Sequence, residues 1–346
     1  MKAAGFRRFG GPEVLEFMDL PDPHPGPGQV RIVVRAAGIS LSDWKRRKGQ
    51  MDPELPQTMG YEAAGIVDEL GEGVTDAALG DRVFGACHDG AAQAELAVLS
   101  AYAPIPVSLG FAEAAALPAA IETAARALDQ LGVESSHTAR NNSTPESGNA
   151  APETNSTLPN NSAPERWSAV LNNGASRSVG SGRTVLINGA SGSVGSAAVQ
   201  LAVARGARVI GTAGPTNHDY LRSLGAEPVT YGEGLAARVR EIAPDGVDLA
   251  LDVAGSGVLP ELIELAGGPD QVLTVADFEG AQRHGVRFSR GDSGRALYVL
   301  TEIGAMIDSG RFAPPVVRTF PLTEVAEAHR LSESGHARGK LVLLIG

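Results

Sequence analysis

The amino-acid sequence predicts an α/β protein in which a doubly wound parallel sheet is joined to an N-terminal antiparallel β-domain. Three observations predict this fold class. Residues 184–213 contain one complete strand, turn, helix and strand; residues 1–110 contain short strands separated by turn residues; and strands and helices alternate over residues 228–308. At 346 residues, the chain is long enough for two domains with separate hydrophobic cores.

Six short apolar runs predict the strands of the N-terminal domain, and their spacing is typical of a small antiparallel barrel or sandwich. They lie at residues 2–7, 14–18, 30–37, 63–70, 82–85 and 93–98. A helical pattern follows over 111–131, where Pro118 predicts a kink. The last stretch, 316–346, has strand-like ends around an alanine-rich helix and is predicted to return to the first domain.

The central unit predicts a nucleotide-binding turn, because a buried strand ends just before a glycine-rich turn that opens a helix. Glycines let the backbone approach a pyrophosphate closely, and the unpaired N–H groups at the helix start point at it. The residues predicted to bind a cofactor here are Gly189, Ala190, Ser191, Gly192, Ser193, Val194 and Gly195. An ordinary Gly-Ser turn is the alternative. A nucleophile elbow is disfavoured, since neither Ser191 nor Ser193 has the G-x-S-x-G pattern.

The end of the second strand favours NADP(H) over NAD(H). An acidic residue there would pair with the ribose 2′-hydroxyl of NAD and repel the 2′-phosphate of NADP, and residues 211–214 contain no acid. Residues 212–218 also contain no arginine or lysine, so the phosphate would depend on hydroxyl, amide, imidazole and backbone donors. The residues predicted around this pocket are Thr212, Ala213, Asn217, His218 and Tyr231.

The alternation that follows predicts the rest of a mostly parallel sheet. Strands are expected at 228–231, 247–253 and 271–275, and helices at 234–242, 258–266 and 294–308. Residues 134–181 fit neither pattern: they are rich in Asn, Ser, Thr, Pro and Ala and are predicted to be a disordered insert, although the apolar stretch 166–171 could dock. The predicted domains are therefore 1–122 with 314–346, and 123–133 with 182–313.

Composition excludes several classes of protein. The net charge of −11 argues against nucleic acid as a partner, and the apolar stretches fall short of the roughly 18 residues that span a bilayer. The N-terminus lacks the apolar core of a signal peptide, so a cytoplasmic location is expected. Cys87 is the single cysteine, which rules out an internal disulfide. The run 87–89 looks like a catalytic triad, but adjacent side chains on a strand point to opposite faces.

Several motifs, in this order along the chain, resemble one known family. They are 38–44 (GISLSDW), 60–67 (GYEAAGIV), 80–85 (GDRVFG), 115–118 (AALP), the glycine turn, 246–248 (GVD) with 251–252 (LD), and 339–342 (GKLV). The sequence resembles a zinc-free member of the medium-chain dehydrogenase/reductase superfamily, in its NADP-dependent quinone oxidoreductase-like branch. This resemblance implies a GroES-like N-terminal barrel, a Rossmann domain, and a cleft between them where the nicotinamide meets the substrate.

The resemblance also implies which residues occupy that cleft. Where the zinc-dependent branch has cysteine, histidine and cysteine, this chain has Ser40, Tyr61 and Ala119, so no zinc ligand set is expected. Tyr61 is the candidate that polarises or protonates the substrate, and its alternative role is to form an aromatic wall of the cleft. Ser40 stands where the branch often has asparagine. Glu62 is expected to support the fold by hydrogen bonding. The further residues implied to lie near the cofactor are Thr123, Val253, Ala254, Ala276, Asp277, Phe278 and Lys340.

Three classes of function remain open on the sequence. The first is an NADPH-dependent reductase of a quinone, an enone or an enoyl thioester, which the resemblance favours. The second is a non-redox enzyme on the same fold that cyclises a reactive intermediate or carries out an elimination on it, and the third is a protein that binds NADPH without turnover. In each case the expected partner is a small molecule rather than nucleic acid or membrane, and a homodimer is expected from the resemblance.

Overall fold

The computed structural model describes residues 1–87, 90–133, 182–291, 294–315, 317–335 and 339–346. The predicted insert at 134–181 lies outside these ranges, as do His88 and Asp89. The described strands form a three-stranded, a six-stranded and a seven-stranded sheet. None of the helices in the described part of the chain has the length and apolar character that a bilayer span requires.

The N-terminal domain is built around one long strand, β3. The strands are β1 (Lys2–Phe6), β2 (Glu16–Asp19), β3 (Val30–Ile39), β4 (Gln57–Thr58), β5 (Glu62–Leu70), β6 (Arg82–Ala86), β7 (Leu96–Leu99) and β8 (Ala101–Pro104). β3 pairs antiparallel with both β5 and β7, and its side chains at Val30, Ile32 and Val34 are buried in alternation. This period of two places every second residue in the core, as a half-buried strand requires.

Two helices replace the single helix predicted at 111–131. They are α2 (Phe111–Ala115) and α3 (Pro118–Gln130), and they follow a short helix, α1 (Leu41–Arg47), that the sequence analysis did not identify. The predicted kink at Pro118 is wrong in kind, because the proline begins α3 instead of bending a continuous helix. Proline suits the first helical position, where its missing N–H would have no partner within the helix.

The second domain is a six-stranded parallel sheet. Its strands are β9 (Thr184–Asn188), β10 (Arg208–Ala213), β11 (Glu227–Thr230), β12 (Leu249–Asp252), β13 (Val272–Thr274) and β14 (Arg287–Phe288), in the spatial order β11-β10-β9-β12-β13-β14. Chain order therefore reverses between β9 and β12. In open α/β sheets, ligands bind beyond the carboxyl ends of the strands at this point of reversal.

Six helices accompany this sheet in the described chain. They are α4 (Ser193–Ala204), α5 (His218–Ser223), α6 (Leu235–Ile242), α7 (Leu259–Ala266), α8 (Phe278–His284) and α9 (Val299–Asp308). The helix predicted at 294–308 begins only at Val299. Gly294 has φ +111°, a backbone conformation that a right-handed helix cannot contain, so the alternating pattern overestimated this element at its start.

The last strands of the chain pair with the sheet of the first domain. β15 (Val317–Pro321), α10 (Val325–Glu333) and β16 (Lys340–Leu344) complete the seven-stranded sheet, whose order is β15-β16-β3-β5-β6-β8 with β7 on β3. One apolar cluster contains Phe84 of the first domain, Ile121 of α3 and Ile187 of the parallel sheet. The two domains therefore share a continuous core through α3, which holds them together beside the cleft.

Candidate active site

The glycine turn between β9 and α4 has no space for side chains at two of its glycines. Gly189 has φ +82°, and a Cβ built on Gly195 would lie 2.2 Å from the Gly189 carbonyl oxygen. Gly192 precedes the first residue of α4, and within the described chain no side chain caps this helix. A Cβ on Gly192 would meet nothing closer than 3.5 Å. The turn is thus tight inside and open at the helix N-terminus, where the helix dipole favours an anion.

A row of buried polar side chains crosses the carboxyl ends of four neighbouring strands. Thr212 donates to Asn188 (Oγ1 to Oδ1, 2.7 Å), Asn188 donates to Asp252 (Nδ2 to Oδ1, 2.9 Å), and Thr274 donates to Asp252 (Oγ1 to Oδ2, 2.7 Å). All four residues are at most 3% exposed. We call Thr212, Asn188, Asp252 and Thr274 the polar ladder; its hydrogen bonds follow the sheet order β10, β9, β12, β13.

The polar ladder holds the loops that lie over the end of the sheet. The Asp252 carboxylate accepts hydrogen bonds from the backbone N–H groups of Ala254 (3.1 Å) and Gly255 (2.9 Å). The Thr274 hydroxyl accepts from Ala276 and Asp277, each at 3.1 Å. Two buried side chains on adjacent strands therefore set the backbone of the segments that the family resemblance placed near the nicotinamide.

Sequence reasoning missed this role for Asn188, Asp252 and Thr274. A signal was present, since each is a polar residue that ends a short apolar strand. Asp252 belongs to the family motif at 251–252, which by itself indicates no role for the carboxylate. A buried carboxylate needs several donors to offset its desolvation, and here it accepts four hydrogen bonds, so the loop geometry and the buried charge depend on each other.

At the other side of the turn, Tyr231 and His218 lie next to the end of β10. Tyr231 is 61% exposed, and a Cβ on Gly214 would lie 3.8 Å from its ring. The His218 Nε2 lies 3.3 Å from the carbonyl oxygen of Ala213 and 3.4 Å from the Thr230 hydroxyl. Asn217 belongs to the 3-10 turn before α5. Three of the five residues predicted around this pocket, Ala213, His218 and Tyr231, thus gather at one strand end.

Arg238 on α6 brings a positive charge to this corner, which the sequence analysis did not anticipate. Its guanidinium donates to the carbonyl oxygens of four consecutive residues, 230–233, at 2.8 to 3.3 Å. It therefore orders the loop that carries Tyr231. Residues 212–218 contain no arginine or lysine, whereas Arg238 lies on a later helix that the sheet packing brings back to this strand end.

The remaining residues predicted near the cofactor take part in local contacts. Asp277 caps α8 by accepting from the Gly280 N–H at 2.8 Å, and the half-exposed Phe278 packs edge-on against Phe288 with ring centroids 5.2 Å apart. Thr123 lies on α3 with its hydroxyl 3.5 Å from the carboxylate of Glu122. Val253 is the first residue of the loop held by Asp252, and its N–H donates to the Asn188 carbonyl at 3.1 Å.

In the first domain, Ser40, Glu62 and Lys340 form a buried cluster. The Lys340 amine donates to the Ser40 hydroxyl at 2.7 Å and makes an ion pair with Glu62; the side chains of Lys340 and Glu62 are 5% and 1% exposed. Ser40 in turn donates to Glu62 at 3.0 Å. Lys340 was predicted to bind the cofactor, and its amine is engaged by these two residues, while the backbone of the preceding Gly339 pairs with Gly192 in the glycine turn.

Asp43 lies beside this cluster and ties the start of α1 to the next segment. Its two carboxylate oxygens accept from the backbone N–H groups of Ser40 (2.7 Å) and Gly60 (3.1 Å). Burial raises the pKa of Asp43 to about 6, although these two hydrogen bonds and the Lys340 charge oppose the rise. The carboxylate thereby ties the residue before α1 to Gly60, which directly precedes Tyr61.

Tyr61 is half-buried next to α1. The Arg46 guanidinium lies over its ring, 5.5 Å from the centroid. Burial raises the pKa of the Tyr61 phenol above its usual value, and the positive charge of Arg46 partly opposes this. The phenol is therefore protonated at neutral pH, as a hydrogen-bond donor or proton donor must be.

Two family models match the chain in the arrangement that this fold shows. One, described as an alcohol dehydrogenase GroES-like domain, matches residues 26–125, and the other, described as a zinc-binding dehydrogenase, matches residues 224–343. The chain belongs to the medium-chain dehydrogenase/reductase superfamily. The fold class predicted from the sequence, a Rossmann sheet with an N-terminal GroES-like domain, is confirmed.

Several relatives of this superfamily member carry oxidoreductase names, and one is part of a polyketide synthase system. The quinone oxidoreductase from Coxiella burnetii, whose structure is solved, is 28% identical to this chain in sequence. The two structures superpose with a TM-score of 0.76 over 100% of this chain and 99% of that one. An NADPH-dependent alkenal/one oxidoreductase from Arabidopsis thaliana is 28% identical over 99% of this chain and 79% of that protein. A polyketide synthase system protein from Streptomyces orinoci is 30% identical over 96% of this chain, which spans 14% of that much longer protein.

This dehydrogenase/reductase has no side chains suited to a catalytic zinc at the positions where the resemblance implies ligands. Glu62 joins two of them, because its carboxylate bonds the Ser40 hydroxyl and also accepts from the Ala119 N–H at 2.7 Å. Ala119 has no donor atom in its side chain, and Ser40 is engaged by Lys340. Over the described ranges, no group of three His, Cys, Asp or Glu side chains could hold a metal ion. These residues do not fit zinc.

Proposed function

We propose that this protein is an NADPH-dependent, zinc-independent oxidoreductase that transfers hydride to a quinone or to an activated, α,β-unsaturated double bond. The observation that supports it most is the glycine turn, open at the N-terminus of α4 and backed by the polar ladder, together with Ser40 and Tyr61 at the positions where zinc ligands are implied. A metal-free cleft suits an electrophile that needs only positioning and a proton. The names of the Coxiella and Arabidopsis relatives support the same substrate classes.

The preference for NADPH over NADH is part of this proposal. The residues at the end of β10 fit a 2′-phosphate, because Ala213 places no carboxylate there and Arg238 adds a positive charge to the neighbouring loop. Phosphate is bound by such charges and by backbone N–H groups. The exposed ring of Tyr231 beside Gly214 would provide a surface for the adenine.

In this proposal, bound NADPH supplies the hydride and the protein supplies position and a proton. Asp252 and Thr274 hold the loops against which the nicotinamide would lie. Tyr61 donates a proton to the substrate after hydride addition, since its phenol is protonated at neutral pH and lies in the cleft. Ser40, held by Lys340 and Glu62, offers its hydroxyl oxygen in one fixed orientation.

The proposal is tested by following NADPH absorbance with a panel of quinones and enones, with and without a chelator. We expect consumption with at least one member of the panel and no effect of the chelator. A protein that binds NADPH tightly but consumes none with any substrate would contradict the proposal and favour a non-redox or binding role. Stoichiometric zinc, lost together with activity, would contradict the metal-free part.

The cofactor preference has its own test in Ala213→Asp. We expect the variant to weaken NADPH binding by about tenfold or more, because the new carboxylate repels the 2′-phosphate, while NADH binding is retained or improved. Dissociation constants for both cofactors, measured by fluorescence titration of the wild type and the variant, check this. Equal constants for NADPH and NADH in the wild type would show that the preference does not exist.

A further inference from the structure

Arg46 is a positively charged side chain in the candidate cleft that the proposed chemistry leaves without a role. It lies on α1 with its guanidinium 5.5 Å from the centre of the Tyr61 ring, and its Nε donates to the Gln57 side chain at 2.8 Å. A Cβ built on Gly90 would lie 2.1 Å from the Arg46 Nη1. The guanidinium therefore fills the space that a side chain at position 90 would take, and its hydrogen bond to Gln57 fixes its orientation.

The charge environment of Arg46 differs from that of four other arginines that are removed from water. Arg31 pairs with Asp68, Arg47 with Glu333, Arg126 with Glu122 and Arg205 with Asp129. Arg46 is half-buried too, yet no carboxylate of the described residues makes an ion pair with it. Arg238 shares this lack of an ion pair, but its guanidinium is engaged by four backbone carbonyls. In a chain of net charge −11, carboxylates are plentiful, and the planar guanidinium of arginine matches the geometry of a carboxylate.

We infer that Arg46 binds a carboxylate of the substrate, so that the substrate class is an unsaturated ketone or quinone that also carries a carboxylate group. This inference rests on the proposed function and specifies the class of substrate. The terminal amino groups of the guanidinium present parallel N–H donors that match the two oxygens of a carboxylate. A single negative charge suits the site better than a dianion, because Asp43 and Asp52 also act on Tyr61 and keep the surroundings negative.

The position of Arg46 also limits where the carboxylate lies in the substrate. Tyr61 is the proposed proton donor, and Arg46 contacts the face of its ring. A carboxylate bound by Arg46 would therefore lie within a few bonds of the carbon or oxygen that receives the proton. A 4-oxo-2-enoic acid has this arrangement, and its methyl ester has the same double bond without the charge.

The test compares this acid with its methyl ester, in the wild type and in Arg46→Gln, by NADPH consumption. We expect the wild type to favour the acid in kcat/KM, and Arg46→Gln to reduce the acid-to-ester ratio by about 10- to 100-fold, mainly through KM, as loss of a charged hydrogen bond predicts. Arg46→Lys, which keeps the charge but loses the planar fork, should fall between the two. Lys45→Gln removes the same charge from the neighbouring position of α1 and should leave the ratio unchanged within about twofold.

A second measurement is independent of turnover. Calorimetric titration of the saturated 4-oxo acid and its ester into the NADP⁺-loaded protein should show acid-selective binding that Arg46→Gln abolishes, while the variant keeps the wild-type melting temperature. An unchanged acid-to-ester ratio in both experiments overturns the role of Arg46, even if enones are reduced. Acid-selective binding without NADPH consumption from any substrate supports the role of Arg46 and contradicts the proposed function.

Discussion

The two walls of the candidate cleft are built by different means. On the parallel-sheet side, the proposed cofactor site is one contiguous turn that offers its backbone, and its shape depends on glycines that have no room for a Cβ. On the barrel side, the site is a set of side chains from distant segments: Ser40, Glu62 and Lys340 lie up to 300 positions apart in sequence. The comparison teaches that the proposed cofactor site is encoded by neighbouring residues, whereas the proposed substrate site is assembled by the packing of distant segments.

The largest expected effect is a loss of stability at one of two glycines in the same turn. Gly195→Ala should lower the free energy of unfolding by about 3 kcal/mol, because its Cβ would meet backbone atoms of Gly189 and Ala190 that cannot move independently. Gly192→Ala has ordinary space, so it should cost only about 0.5–1 kcal/mol as a lost helix cap while weakening NADPH binding. Urea unfolding and NADPH titration of both variants check this. Equal stability of the two variants would show that the turn tolerates a Cβ at either place.

Tyr61→Phe tests the barrel side in the same way. If Tyr61 donates the proton, kcat should fall by about 10²-fold, since general acid catalysis contributes that order, while NADPH affinity stays the same. Stopped-flow and steady-state NADPH oxidation with one reducible enone measure it. An unchanged rate would restrict Tyr61 to packing in the cleft wall.

The barrel side should also be the more acid-sensitive half, through His329. This side chain on α10 is fully buried, with Nε2 3.4 Å from the Gln93 side chain, and Nδ1 has no hydrogen-bond partner among the residues that the structure describes. Burial lowers the pKa of His329 to about 3, and the charge of Arg47 adds to the effect. Between pH 6.5 and about 3, the unfolded chain therefore binds more protons than the folded chain. The free energy of unfolding decreases as the pH is lowered through this window, by about 1.4 kcal/mol per pH unit from this group.

His329→Gln should remove that part of the acid dependence. The difference in free energy of unfolding between wild type and variant should shrink steadily from pH 6.5 to pH 4, because only the wild type must protonate a buried imidazole. Urea unfolding at a series of pH values measures the difference. A constant difference across the series would mean that the imidazole is already solvated in the folded state.

The smallest effect is expected from replacing 134–181 with a few-residue linker. The flanking ends are close in space: a Cβ on Gly132 would lie 3.5 Å from the Arg183 Nη1, and Arg205 holds the Val133 carbonyl at 2.6 Å. Each halving of the loop length lowers the entropic cost of closing the loop by only about 0.6 kcal/mol, so stability changes little. The fold and the NADPH affinity should therefore be retained. Circular dichroism and NADPH titration check this. Loss of folding would show that the segment packs on the domain.

The sequence by itself determined the fold class, the glycine turn and the missing acid at Ala213, because each is encoded by neighbouring residues whose backbone preferences and periodicity act locally. It misjudged Pro118 and the start of α9, where a single proline or a positive φ outweighs a periodic pattern. Only the tertiary structure decided the polar ladder, the engagement of Lys340 by Glu62, the approach of Arg238 to the loop at Tyr231, and the place of Arg46 beside Tyr61. These contacts join residues distant in sequence, and burial and hydrogen bonding select them only once the sheets have packed.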